Sequence, residues 1–179
     1  ALASSAVILA VEDFRDFDEQ IFLSANLSGS FCPEAIRQVT EYAEQQSLSD
    51  NRLAFQGLFG AEKLTTREFM FYWSDVIVFQ VQYGKREPFC ASLKGKTLEE
   101  RLNVVYPLMK AVSPVDYGAY YLGNPEFALQ DGRGGRSWYY QSCTEFSYFQ
   151  TFSHTHPMRS KLLTMDFYRK WCEDIYGKG

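Results

Sequence analysis

His154 and His156 stand in the run Ser153-His154-Thr155-His156-Pro157, and histidine is the side chain best suited to exchange a proton near neutral pH or to ligate a metal. The surrounding pattern carries neither role: there is no HExxH helix, no third ligand at metal spacing, and Pro157 marks a turn, so the pair is expected on a solvated loop. Gly132-Arg133-Gly134-Gly135 has the glycine content of a phosphate cradle, but without GxxxxGK[ST] or a following helix it reads as a flexible linker. A serine nucleophile on a strand-to-helix elbow needs G-x-S-x-G, and no such pentapeptide occurs. Cys32, Cys90, Cys143 and Cys172 lack any CxxC spacing, which argues against a zinc ribbon and for two disulfides, with three connectivities open and four buried thiols as the alternative. The single N-x-S/T sequon, Asn26-Leu27-Ser28, would be a glycan acceptor on a surface loop if the chain enters the secretory pathway. No residue pattern calls for a metal or a cofactor.

The densest concentration of chemistry is the run Trp138-Tyr139-Tyr140-Gln141-Ser142-Cys143-Thr144-Glu145-Phe146, followed by Tyr148 and Phe149. Its rings can serve as ordinary core or as a flat apolar wall for another ring. Gln141 and Glu145 are expected to hold a defined hydrogen-bond network, because burying such groups unpaired costs about 1–3 kcal/mol each.

The elements that must position these residues follow from periodicity. Residues 1–10 form a continuous small and β-branched apolar run, as in a strand buried on both faces of a parallel sheet. Pro33 suits the first turn of a helix whose Ile36, Val39, Tyr42 and Ala43 recur at three- and four-residue spacing through Gln46. Thr65-x-x-Glu68 and Thr97-x-x-Glu100 are capping boxes. The first opens an aromatic helix reaching about Tyr83, and the second opens a helix carrying Leu98, Leu102, Val105 and Met109 that Pro107 should kink or shorten. Residues 84–88 break the pattern, and 124–136 read as a connecting loop. Residues 137–148 then look strand-like, and a last helix over about 165–176 stops at Gly177. A buried strand, several helices, an aromatic strand-like segment and a final helix suit a helical insertion in an α/β sheet better than a plain bundle.

Composition sets the outer limits. At 179 residues, 46% hydrophobic and 17% aromatic, the chain has the material for a real core. A net charge of -4 and a pI near 5.3 argue against nucleic acid as a partner. The longest apolar run, residues 6–11, is far short of the roughly 20 residues of a membrane span. With no initiator methionine and no signal pattern, the opening reads as a start in mid-fold.

The segment from Trp138 to Phe146 resembles the W-x-Y-Q-x-C-T-E signature of the S28 serine peptidases, the family of lysosomal Pro-X carboxypeptidase, dipeptidyl peptidase II and thymus-specific serine protease. Ala1-Leu-Ala-Ser-Ser-Ala, Phe31-Cys32-Pro33-Glu34-Ala35-Ile36 and Trp171-Cys172-Glu173-Asp174-Ile175-Tyr176-Gly177 are similar to other parts of that family, so the resemblance spans the chain. It implies a mainly α fold with minor β: a helical SKS-type cap inserted in an α/β-hydrolase fold of which only flanking segments are present. Residues 1–15 would belong to a hydrolase core strand, 16–136 to the cap, and 137–179 to a return segment. The resemblance also implies the pairings Cys32–Cys90 and Cys143–Cys172. It places Tyr148, Tyr139, Trp138 and Phe149 beside the substrate, with Tyr148 facing a prolyl ring. Tyr139 occupies a position where aminodipeptidase members carry an acidic group, a charge its phenol cannot supply.

The family's catalytic serine lies upstream of the matched stretch and its acid and histidine downstream, so no catalytic residue is assigned here. The polypeptide alone is expected to be an inactive cap of a lysosomal or secreted serine exopeptidase that cleaves peptides after proline or a small residue. Its expected partners are a peptide with proline near one end and the remainder of its own hydrolase domain, with a homodimer left open. A non-catalytic peptide- or protein-binding domain and an inactive S28 homologue are the alternative functions.

Overall fold

The computed structural model describes residues 16–124, 126 and 135–177, and among these the chain is helical with no strand. The helices are α1 (Phe17–Asn26), α2 (Phe31–Leu48), α3 (Arg52–Gly57), α4 (Thr66–Gln82), α5 (Arg86–Leu93), α6 (Leu98–Lys110), α7 (Ala119–Leu122), α8 (Gly135–Gln141) and α9 (Met165–Tyr176). A short 3-10 turn, Pro114–Tyr117, precedes α7, and a π-helical turn, Ser142–Phe146, extends α8. The mainly helical character expected from the sequence is therefore observed. The apolar run at residues 1–10, the proposed domain segment 1–15 and Gly132, Arg133 and Gly134 lie outside the described residues.

Helix α4 is the axis of the fold because large apolar side chains recur all round it and even its Glu68, Ser74 and Asp75 are buried. Phe69, Met70, Phe71, Tyr72, Trp73, Val76, Ile77 and Val78 are all buried, and a helix that is hydrophobic around most of its circumference belongs in a core. Its start is set by the Thr65 capping box: the Thr65 hydroxyl accepts from the Glu68 N–H at 3.3 Å, and the Glu68 carboxylate accepts from the Thr65 N–H at 2.7 Å. The second Glu68 oxygen accepts from the Ala119 N–H at 2.6 Å, so one carboxylate fixes the beginnings of both α4 and α7. The amphipathic helices wrap this axis. Helix α2 contributes Ala35, Ile36, Val39, Thr40 and Ala43, all buried, at three- and four-residue spacing.

Pro107 does not shorten α6. It lies on the exposed face, and Asn103, whose carbonyl loses its partner to the missing N–H, is exposed as well. The end of α6 is held from the core, where the buried Tyr72 hydroxyl donates toward the carbonyls of Met109 and Val112, the latter at 2.9 Å. Gly84, at φ +78°, terminates α4 as expected, whereas Pro88 sits in the first turn of α5, where a missing N–H costs nothing.

Two disulfides fasten the assembly in the expected pairs. Cys32 joins Cys90 with Cα atoms 5.2 Å apart, tying the first turn of α2 to α5, and Cys143 joins Cys172 at 5.7 Å, tying the π turn to α9.

Residues 137–146 are helical rather than strand-like, and Ser147 and Tyr148 lie just beyond the helix. Their aromatic content suits a strand only where neighbouring strands supply a pleated surface. Here the neighbour is α9, and a helical spacing brings Tyr139 onto Trp171, Tyr140 onto Tyr176 and Cys143 onto Cys172. The Ser142 and Thr144 hydroxyls each donate to the carbonyl four residues earlier, at 3.4 and 2.8 Å, a local bond that a strand could not form. Gly135 opens α8, so a helix does follow the glycine run, contrary to the expectation of none. Ser147, at φ +51°, turns the chain out of this helix in the left-handed region.

Candidate functional site

Helices α8 and α9, with Tyr117 and Phe149, build an aromatic wall. Phe71 of α4 lies at its centre, with edge-on contacts to Tyr117 (5.1 Å), Tyr168 (5.4 Å), Trp171 (5.6 Å) and Tyr139 (5.9 Å). Tyr139 meets Trp171 edge-on at 4.8 Å, and Phe149 stacks on Tyr168 at 5.2 Å. Trp171 is fixed by its indole N–H, which donates to the Tyr117 carbonyl at 3.1 Å. The Tyr168 hydroxyl donates to the Gln150 carbonyl at 3.0 Å.

Behind the wall lies a polar network that sequence reasoning missed. Arg159 is fully buried, and its guanidinium bonds the Asp75 carboxylate of α4 while donating to the Gln150 side-chain oxygen at 2.6 Å. The same guanidinium lies 5.9 Å from the Phe71 ring centre and 5.8 Å from that of Phe17, so its charge is neutralised by Asp75 and its faces are covered by rings. Asp18 of α1, with no exposed surface, accepts from the backbone N–H groups of Ser153 (2.9 Å), Met158 (2.9 Å) and Arg159 (3.2 Å) and so folds the 153–159 loop around one carboxylate oxygen. Asp18, Asp75, Gln150 and Arg159 are far apart in sequence and match no motif; the only available signal was charge placed among apolar neighbours, as at Asp75 after Trp73.

These charges set the ionisation of their surroundings. Burial, with the nearby Asp75 carboxylate adding to it, holds the Tyr117 and Tyr139 phenols well above the usual value. Both are therefore neutral at physiological pH, and Tyr139 supplies no negative charge. Burial also raises the Asp18 carboxyl, outweighing the three N–H donors and Arg159. Because the folded state then binds a proton more tightly than the unfolded chain, this group's stabilising effect is greatest at acid pH and declines as pH rises from the ordinary carboxylate value of 3.8 through the raised one. Thermal unfolding in a pH series should show a component of stability that falls with rising pH in that window and is flattened by Asp18→Asn. A slope of opposite sign that Asp18→Asn removes would contradict it.

The expected site residues divide into two groups. Tyr139 and Phe149 converge on α9 through Trp171 and Tyr168. Trp138 and Tyr148 face outward, 57% and 50% exposed. Gln141 and Glu145 are exposed too, so the expectation that burial forces them into a hydrogen-bond network is not met. The His154–His156 loop is exposed as expected, with the His156 ring stacked on Phe22 at 4.0 Å and its Nδ1 2.9 Å from both Glu19 carboxylate oxygens. Among the described residues no three His, Cys, Asp or Glu side chains gather as a metal site, and no helix is long and apolar enough to cross a membrane.

A family model described as serine carboxypeptidase S28 matches residues 1–179. A probable serine protease, EDA2 of Arabidopsis thaliana, is 29% identical over 188 residues, covering 99% of this chain and 37% of that protein. The chain thus spans little more than a third of the length of this relative. No solved structure matches the chain.

Proposed function

The chain belongs to the serine carboxypeptidase S28 family, and on that premise we propose that it forms the helical cap of a serine-type exopeptidase, lining the cleft that receives a peptide with proline near one end. The observation that carries this reading is the pair of exposed rings, Trp138 and Tyr148, presented from a segment that Cys143–Cys172 and Tyr139 pin to α9. A prolyl ring has no donor and little polarity, so its recognition needs flat apolar surface held in place, and aromatic faces provide this. Tyr148 is the residue assigned to that contact, with Trp138 as a second exposed ring and Phe149 and Tyr139 as the supporting layer. The neutral Tyr139 phenol offers no counter-charge to a substrate ammonium group, which favours cleavage from the carboxyl end over release of amino-terminal dipeptides.

Within 1–179 there is no G-x-S-x-G elbow, so this stretch by itself supplies no activated nucleophile and no acyl-enzyme route. The purified 179-residue polypeptide should leave a proline-containing fluorogenic peptide uncut, while the parent protein turns it over in a manner abolished by a serine-directed reagent. Robust, reagent-sensitive turnover by the polypeptide alone would overturn the assignment. Two disulfides support a lysosomal or secreted location, where thiols are not kept reduced.

A further inference from the structure

We propose that Asn26 carries an N-linked glycan whose first sugars lie in the groove between α1 and the 153–159 loop. This rests on the secretory location proposed above. Asn26-Leu27-Ser28 is the chain's single sequon, and the fold leaves its acceptor open: Asn26 is the exposed last residue of α1, and Leu27 after it is 75% exposed. Such acceptors are modified as the chain emerges, so the folded protein need only accommodate the product. This one does, because the turn after α1 is closed through its backbone, Ser28 N–H to the Ala25 carbonyl at 3.1 Å and Gly29 N–H to the Asn26 carbonyl at 2.9 Å.

In the transfer, the Asn26 Nδ2 attacks the anomeric carbon of a lipid-diphosphate-linked oligosaccharide. A C–N bond forms, the bond from anomeric carbon to phosphate oxygen breaks, the lipid diphosphate leaves, and the amide gives up one proton.

The groove gives the attached sugar a place to lie. Asn26 is itself one of its lining residues, together with Phe22, Pro33, Arg37, His156 and Pro157. Phe22 and His156 form a stacked plate, their planes 7° apart, with the His156 side chain 44% exposed. The weakly polar C–H face of a hexose suits an aromatic plate, and the Arg37 guanidinium and the Glu34 carboxylate that it bonds at 2.7 Å supply a donor and an acceptor for sugar hydroxyls.

The test uses the full-length parent secreted from glycosylating cells. Peptide N-glycosidase should remove one glycan and convert Asn26 to aspartate, a change lost in Asn26→Gln and Ser28→Ala and kept in Ser28→Thr. Release should be several-fold slower from the folded protein than after reduction and unfolding. Secreted, disulfide-bonded protein with an unmodified Asn26 would overturn the glycan while leaving the peptidase reading intact. Equal release rates would overturn the seating in the groove, and a chain that never enters the secretory pathway would overturn both the glycan and the proposed location.

Discussion

Replacing Arg159 by methionine is expected to cost about 3–5 kcal/mol of folding stability, the range for removing one partner of a buried ion pair. The Arg159 side chain has no exposed surface and that of Asp75 only 11%, so the carboxylate left behind must either stay charged in an apolar setting or take up a proton. Gln150 also loses its guanidinium donor. The Asp18 clamp survives, since it holds the Arg159 backbone rather than the side chain. A double replacement, Arg159→Met with Asp75→Leu, should recover more than half of the loss, because the stranded charge is then gone. Denaturant unfolding of the two variants decides it: a loss below about 1 kcal/mol for Arg159→Met, or a double variant no better than the single one, would show that the network is solvated and contributes little.

The second large effect is expected at Cys143–Cys172. Replacing both cysteines by serine releases a bridge across 29 residues, which in the chain-entropy picture stabilises the fold by about 3–4 kcal/mol. The structural consequence should be local, because helix α8 has no buried residue of its own. Without the bridge it is held mainly by Tyr139 on Trp171 and by Tyr176, whose ring lies 5.5 Å from Tyr140 and 4.9 Å from the Arg136 guanidinium. Amide exchange should therefore accelerate across 135–147 while α4 remains protected. Uniform loss of protection, or none in 135–147, would contradict a segment positioned by its disulfide.

Much of this architecture was legible in advance, and the reasons are local. Both capping boxes and the glycine stop at Gly177 act through bonds within four residues, so their sequence signatures carry the structure directly. The disulfide pairing was available only through family resemblance, since four cysteines leave three connectivities open. The strand-like reading of 137–148 failed because aromatic β-propensity is a statement about neighbours, and the neighbour proved to be the helix α9. The same error misplaced Gln141 and Glu145, which a strand packed in a sheet would have buried and a helix on the rim does not. The Asp75–Arg159 pair and the Asp18 clamp were invisible for another reason: they join residues 84 and up to 141 positions apart, and no periodicity encodes such a meeting.

The central claim is that the segment from Trp138 to Phe149 presents Tyr148 and Trp138 to the peptide, and kinetics of the full-length parent test it most directly. Tyr148→Ala, and to a smaller degree Trp138→Ala, should lower kcat/KM for peptides with proline at the cleaved position by about tenfold, equivalent to roughly 1.4 kcal/mol, with unfolding midpoints unchanged. The losses should fall mainly on proline-containing substrates. Variants that fold normally and cleave those peptides with unaltered kcat/KM would contradict the claim, and the exposed rings would then belong to some other surface.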